Sequence, residues 1–139
     1  MRPSSLATAE EILTSRARRE PLRPVLGWHE RMVLLGRFAD IVAAAAATLE
    51  DCVPAGGVVG LVMSDTPGVV NTTLSAWRAG ATVAPVDHRL EPEAIGRRFS
   101  LSGVAAVVAH EEHLERAEAA LRGARSAALL LVSRGSKLL

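Results

Sequence analysis

Val58-Val59-Gly60-Leu61-Val62-Met63 is the stretch that decides the fold of this chain. It is a continuous apolar run of strand length, and it follows a turn signal that contains Pro54, Gly56 and Gly57. A strand that is apolar on both faces is typical of the interior of a parallel sheet, because helices cover both sides of such a sheet. The run therefore predicts a central strand that contains Leu61 and Met63, with Leu49 packed under the sheet.

The residues before this strand predict two helices with an extended segment between them. Thr8 followed by Glu11 is a capping-box pattern, and it predicts a first helix over residues 9–19. Residues 25–35 predict an extended segment with a hairpin around His29-Glu30-Arg31. From Arg37 onward, apolar residues recur at spacings of four and three, which predicts a long helix with one buried stripe. The stripe consists of Phe38, Val42, Ala45, Leu49 and Cys52.

The residues after the central strand alternate between helix and strand. Helices are predicted over residues 67–78, 91–101 and 111–122. Further strands are predicted over residues 81–84 (ended by Pro85), 104–109 and 127–132. Four strands that alternate with helices indicate right-handed crossovers. The predicted fold class is therefore α/β, with a parallel Rossmann-like sheet of about four strands flanked by helices.

Composition and charge limit the function classes. Apolar residues make up 49% of the 139 residues and charged residues 22%, which fits a single globular domain over 1–139, with 1–5 and 133–139 expected to fray. A net charge of +1 gives no electrostatic case for a nucleic-acid or membrane-surface partner. A single cysteine, Cys52, leaves no internal disulfide framework. No secretory signal and no apolar run of membrane length occurs, so we expect a cytoplasmic protein.

Two glycine-containing segments could suggest phosphate binding, and both have a simpler interpretation. Gly56-Gly57 precedes a strand, whereas a dinucleotide fingerprint follows one, so we interpret the pair as a turn. Ser133 to Lys137 contains one glycine, too few for a loop that points several backbone N–H groups at a phosphate. We interpret that segment as a tail.

Three further candidates carry reactive or ligating side chains. His110 and His113 lack a recognisable third metal ligand, so we expect a solvated helix start. Cys52 could be a nucleophile with His29 or His88 as its base, but its place on the apolar stripe favours a buried small hydrophobe. Ser64-Asp65-Thr66 follows a strand, where α/β proteins often hold ligands, and we expect Asp65 or Thr66 to cap the next helix. No catalytic, cofactor-binding or metal residue is predicted, and no cofactor.

Three stretches, taken in order, carry a resemblance to a known family. Residues 53–67 are similar to a family pattern v-x-p-G-D-x-V-a-l-l-l-p-N-s-p, residues 77–87 to l-k-A-G-a-x-x-v-P-l-d, and residues 91–109 to p-x-e-r-l-x-y-i-l-x-d-s-g-a-x-v-l-v. The chain thus resembles the N-terminal part of the adenylate-forming ligases: acyl-CoA synthetases, aryl-CoA ligases and the adenylation domains of nonribosomal peptide synthetases. It departs from the patterns at Gly57, where the family has Asp, and at Asp65, where it has Asn.

The resemblance implies adenylation chemistry for a longer protein. In the family, the phosphate loop, the ribose-binding Asp and the C-terminal domain with its catalytic Lys follow the stretches that this sequence matches. We therefore expect a truncated relative that is not catalytic alone and that has a protein partner, such as the rest of a split ligase, or forms a homo-oligomer. Two alternatives stay open: a small self-sufficient enzyme or ligand-binding module that reuses the fold, and a decayed fragment without an independent role.

Overall fold

The structure, a computed structural model, describes residues 7–134. Over this range the chain forms five α-helices, six strands and one 3-10 turn. The helices are α1 (Ala9–Arg19), α2 (Leu35–Cys52), α3 (Pro67–Arg78), α4 (Pro92–Ser102) and α5 (Leu114–Gly123), and the 3-10 turn is Glu111–His113. The strands are β1 (Pro24–Trp28), β2 (Arg31–Leu34), β3 (Val58–Val62), β4 (Thr82–Val86), β5 (Val104–His110) and β6 (Leu129–Ser133).

Four of the strands form one parallel sheet in the order β4-β3-β5-β6. β3 lies inside the sheet, between β4 and β5, as its two-sided apolar sequence predicts. The predicted fold class, an α/β protein with a parallel sheet of four strands, is confirmed. β1 and β2 form a separate antiparallel hairpin, and His29 adopts a left-handed conformation (φ 54°) at its turn.

The core has a layer on each face of this sheet. On one face, Leu49 of α2 packs with Leu61 and Met63, which are 2% and 7% exposed, and we call this layer the α2/α3 core. On the other face, Ile95 and Phe99 of α4 pack against β3, β5 and α5, and we call this layer the α4/α5 core. The predicted positions of Leu49 and Leu61 are thus confirmed, whereas Met63 is buried in this core but follows β3, which ends at Val62, instead of lying in the strand.

Several predicted boundaries need correction. Pro85 lies inside β4 rather than ending it, and β4 tolerates a residue without an N–H because it is an edge strand. The helix predicted from residue 111 divides into the 3-10 turn and α5. On α2 the buried alanine is Ala46, while Ala45 is half-buried. Ser133 ends β6 instead of belonging to a tail, and residues 1–5 and 135–139 of the expected frayed ends lie outside the described residues.

Candidate functional site

Polar side chains collect at the carboxyl ends of three neighbouring strands. Ser64 and Thr66 follow β3, His88 follows β4, and β5 ends at His110 with His113 one turn further on. The strand order β4-β3-β5 brings these ends to the same edge of the sheet. In open α/β sheets this edge is where ligands bind. We call Ser64, Thr66, His88, His110, Glu112 and His113 the histidine cluster.

Ser64 is the centre of the hydrogen bonding in the histidine cluster. Its hydroxyl donates to Glu112 Oε1 at 2.7 Å and lies 2.6 Å from His113 Nε2. A hydroxyl that donates to a carboxylate still has lone pairs to accept a bond, so the arrangement fits a His113 that carries its proton on Nε2. His110 Nδ1 lies 3.4 Å from the same Glu112 oxygen, which joins the two histidines through one carboxylate.

The other two interactions join the cluster to β4 and α3. The rings of His88 and His113 stack with 4.4 Å between their centroids and 27° between their planes. His110 is 6% exposed, and its Nε2 lies 3.2 Å from Thr66 Oγ1. The three histidines therefore hold the carboxyl ends of β3, β4 and β5 together.

The environment of the histidine cluster favours neutral imidazole at His113. Burial lowers its pKa below the ordinary value of 6.5, the neighbouring His88, His110 and Arg116 lower it further, and the carboxylate of Glu112 opposes the shift. The pKa of Glu112 is lowered in turn, chiefly by the hydrogen bond from Ser64. At pH 7 the cluster thus combines a neutral His113 with an ionised Glu112.

An open cleft of about 460 Å³ lies beside the cluster, between the ends of β3 and β4. Leu61, Met63 and Val69 line its apolar side, and Asp65, Asp87, His88 and Arg89 are among its polar lining residues. Arg89 forms an ion pair with Asp87 at 2.8 Å and holds the pKa of that carboxyl well below its usual range. The cleft can therefore present an imidazole and charged groups to a small polar ligand.

Two predictions about candidate residues at this edge of the sheet are wrong in part. The expected solvated helix start is wrong for His110 and His113. His110 is the last residue of β5 and is buried, and the 3-10 turn places His113 Nε2 within 2.6 Å of the Ser64 hydroxyl. Thr66 occupies the N-cap position of α3, but its side chain does not bond to the helix backbone and instead contacts His110.

Cys52 and the glycine pair lie away from the histidine cluster. Cys52 ends α2 ahead of β3, at the amino ends of the strands, so the length of the sheet separates it from His88. Cys52 is half-buried against the α2/α3 core, rather than fully buried as predicted. Gly56 has a left-handed φ of 78° and donates its N–H to Gly80, which fits the turn predicted for Gly56-Gly57.

The described residues contain no group of three or more side chains arranged to hold a metal ion. The convergence of His88 with His113 is the feature that sequence reasoning missed. A signal was present for Ser64 and His110, which directly follow predicted strands, since parallel strands place their carboxyl ends on one edge. His88 gave no such signal, because Pro85 follows its predicted strand.

The described residues thus form an α/β domain with polar side chains at the carboxyl ends of its parallel strands. Residues 13–137 match the AMP-binding enzyme family. The chain belongs to the AMP-binding enzyme family. Among curated proteins, no sequence match is found.

Solved structures share the fold at low sequence identity. The Klebsiella oxytoca NpsA N-terminal subdomain, in complex with 3-hydroxybenzoyl-AMSN, is 21% identical with a TM-score of 0.77, and the match covers 96% of this chain and 31% of that one. A benzoate CoA ligase from Burkholderia xenovorans LB400 is 18% identical with a TM-score of 0.81, covering 96% and 28%. NpsA-ThdA, an artificially fused adenylation-PCP di-domain from Klebsiella oxytoca, is 21% identical with a TM-score of 0.79, covering 97% and 24%.

The chain spans less than a third of the length of each of these proteins. Its fold matches that of part of the N-terminal subdomain in the first of these structures. Across residues 7–134, no helix is both long enough and apolar enough to span a membrane.

Proposed function

We propose that the 139 residues contribute one N-terminal portion of an adenylate-forming ligase, do not catalyse adenylation alone, and act by docking on a protein that carries the rest of the fold. The observation that carries this proposal is the family match over residues 13–137 combined with coverage of less than a third of solved ligase structures. A domain of this family needs ATP, a carboxylate and Mg²⁺ held together, with positive charge on the phosphoryl oxygens. The 139-residue sequence contains no glycine-rich phosphate loop after a strand.

Exposed apolar side chains support the docking part of the proposal. Ile12 on α1, Val25 on β1 and Val70 on α3 are 52%, 41% and 40% exposed and line one groove. Leu129 and Val132 on β6 are exposed to a similar degree. Contiguous apolar surface on a folded domain commonly marks a protein interface.

The experiment is capture of the partner from the native host with the tagged full-length chain, followed by mass spectrometry of the captured proteins. We expect a protein that carries the phosphate-loop region of an AMP-binding domain, in stoichiometric amount. Capture of no such protein, together with a chain that unfolds cooperatively and stays monomeric, would contradict the proposal.

The histidine cluster favours a second candidate function, a self-sufficient ligand-binding module. A neutral His113 bonded to Ser64, beside an open cleft, is an arrangement that could hold a small polar ligand. Calorimetric titration of the chain alone with ATP, AMP and benzoate separates the two candidates. Binding that His113→Gln weakens would favour the module, and no binding would favour the docking role.

A further inference from the structure

His88 and His113 form a stacked pair at one side of the open cleft. Their ring centroids are 4.4 Å apart and their planes differ by 27°. His88 belongs to the loop between β4 and α4 and lines the cleft, whereas His113 belongs to the 3-10 turn that follows β5. The stack therefore connects the loop on one side of the cleft to the end of the neighbouring strand.

His113 is the fixed member of this pair. Its side chain is 16% exposed, and its Nε2 lies 2.6 Å from Ser64 Oγ. A second proton on this ring binds at Nδ1 and leaves the Nε2–H free to donate to Ser64 as before. Protonation of His113 is thus compatible with its bond to Ser64, and it acts on the stack instead.

His88 is the movable member. The loop that carries it is held at one end by β4. At the other end, Arg116 Nη1 on α5 donates to the carbonyl of Leu90 at 2.7 Å, and Leu90 packs against the α4/α5 core. Between these two anchors, the stack with His113 ties the middle of the loop to the 3-10 turn.

The charged and titratable groups around the pair come from every element that packs against it. They are Asp65 after β3, Asp87 and Arg89 on the loop, His110 at the end of β5, Glu112 in the 3-10 turn and Arg116 on α5. Asp87 forms an exposed ion pair with Arg89, and Glu112 accepts a hydrogen bond from Ser64. Asp65 is exposed, and its charge acts on Arg89. A centroid separation of 4.4 Å leaves no room for a carboxylate between the two rings.

We propose that the stacked pair of His88 and His113 is a pH-sensitive latch on the cleft, closed at neutral pH and open when both rings are protonated. A neutral ring can stack on a neutral or a charged one, whereas two imidazolium ions at this distance repel each other. His88 then moves away with the middle of its loop, and the cleft between the ends of β3 and β4 widens. The latch acts within the chain itself, with or without a docking partner.

The direction of the pH effect follows from the surroundings of the pair. An imidazole ordinarily gains its charge between pH 5 and pH 8. Burial lowers the pKa of His113 below 6.5 and the neighbouring His88 lowers it further, so the closed pair resists the second proton. Opening removes His88 from His113 and admits water, so a falling pH favours the open form. The pKa of Glu112 is lowered from 4.5, which keeps its carboxylate ionised throughout this step.

The test is NMR spectroscopy of the full chain at pH 7.5 and pH 5.5, with circular dichroism to establish that the chain is folded at both. We expect a nuclear Overhauser effect between the ring protons of His88 and His113 at pH 7.5 and its loss at pH 5.5. Met63 lines the cleft, and broadening of its methyl signal by a neutral soluble nitroxide should rise at least about twofold at pH 5.5. Met32, 58% exposed on β2, is the internal control, and its broadening should not change.

Two substitutions of His88 separate the charge of its ring from the shape. His88→Phe retains an aromatic ring that cannot be protonated, so Met63 should stay protected at pH 5.5. His88→Ala removes the stack, so Met63 should be accessible at both pH values. His29→Asn is the matched control, because it removes an imidazole from the exposed hairpin turn, and it should respond to pH as the wild type does.

Loss of the Overhauser effect together with greater broadening of Met63, both at pH 5.5, supports the latch. An Overhauser effect that persists at pH 5.5, or Met63 broadening that does not depend on pH, overturns it. A pH response of Met63 that survives in His88→Phe also overturns it, and if that variant does not fold, protection of Met63 in His88→Ala does so. Unfolding of the whole chain between the two pH values counts against the latch as well, since a latch opens within a folded chain.

Discussion

Leu61 lies in the middle of β3 and is 2% exposed, inside the α2/α3 core. Leu61→Ala removes three buried carbon atoms and leaves a cavity, so we expect it to cost about 2–5 kcal/mol of unfolding free energy. Leu101→Ala is the matched control, because Leu101 is 89% exposed on α4, and it should change stability by less than about 0.5 kcal/mol. Urea denaturation measures both. A loss below about 1 kcal/mol for Leu61→Ala would mean that β3 is not the central strand.

Gly60 stands where the ring of Phe99 crosses β3. A Cβ at Gly60 would lie 2.6 Å from Phe99 Cε1, so Gly60→Ala must displace a buried ring, and we expect it to cost about 1–3 kcal/mol. Gly123→Ala, at the end of α5 with nothing within 4 Å, should be neutral or slightly stabilising. Thermal unfolding of the two variants compares them directly. Equal stability of both variants would contradict the packing of Phe99 over β3.

At the residue scale, the sequence predicts burial well where a periodic pattern applies and poorly where contacts are long-range. Leu49 and Leu61 repeat within apolar patterns, and both are buried. His110 is buried although its sequence neighbours Glu111 and Glu112 are exposed, because the end of β5 and residue Thr66 enclose it. Local sequence contains no information on a contact between residues 44 positions apart.

At the scale of elements, the histidine cluster joins three strand ends, and its effect on stability should depend on pH. Because the folded-state pKa of His113 lies below its ordinary value of 6.5, its contribution to stability is complete above about pH 6.5 and is lost as the pH falls through the folded-state pKa. The pKa of Glu112 is also lowered, so its contribution to stability is lost only as the pH falls below its ordinary value of 4.5. We expect the free energy of unfolding to fall between pH 7.5 and pH 5.5.

Two variants assign this pH dependence to the cluster. His113→Gln should flatten the dependence between pH 7.5 and pH 5.5, because glutamine has no proton to bind in this range. His29→Asn is the control, since it removes an imidazole from the exposed hairpin turn and asparagine tolerates the left-handed backbone there. Urea titrations at several pH values give the comparison. A His113→Gln protein with the wild-type dependence would assign the effect to other groups.

Most elements could be predicted because their signals are local: the capping box of α1, the proline that begins α3 and the apolar runs of the strands. The strand order could not, since it depends on which strands pair. The position of Pro85 inside β4 follows only from that order, because a proline fits where one edge of the strand is free. The meeting of His88 with His113 depends on the same order, which places β4 and β5 on either side of β3.

At the scale of the whole molecule, the exposed apolar surface predicts that a partner stabilises the chain. A partner that binds only the folded state raises the unfolding temperature, and the effect grows with its concentration. We expect the unfolding transition of the chain in complex with the ligase-type protein to lie above that of the chain alone. Val132→Lys, which places a charge at an exposed apolar position of β6, should reduce this stabilisation. An unchanged transition in the presence of excess partner would contradict a docking role.

We propose that this chain completes a ligase and does not catalyse adenylation alone. ATP–pyrophosphate exchange that depends on a carboxylate measures adenylation directly, and it can be run on the purified chain and on its complex with the protein that carries the rest of the AMP-binding fold. We expect no exchange by the chain alone with any acyl or amino acid, and exchange by the complex. Robust exchange by the chain alone, abolished by a point mutation within it such as His113→Gln, would contradict the proposal that the chain is not catalytic by itself.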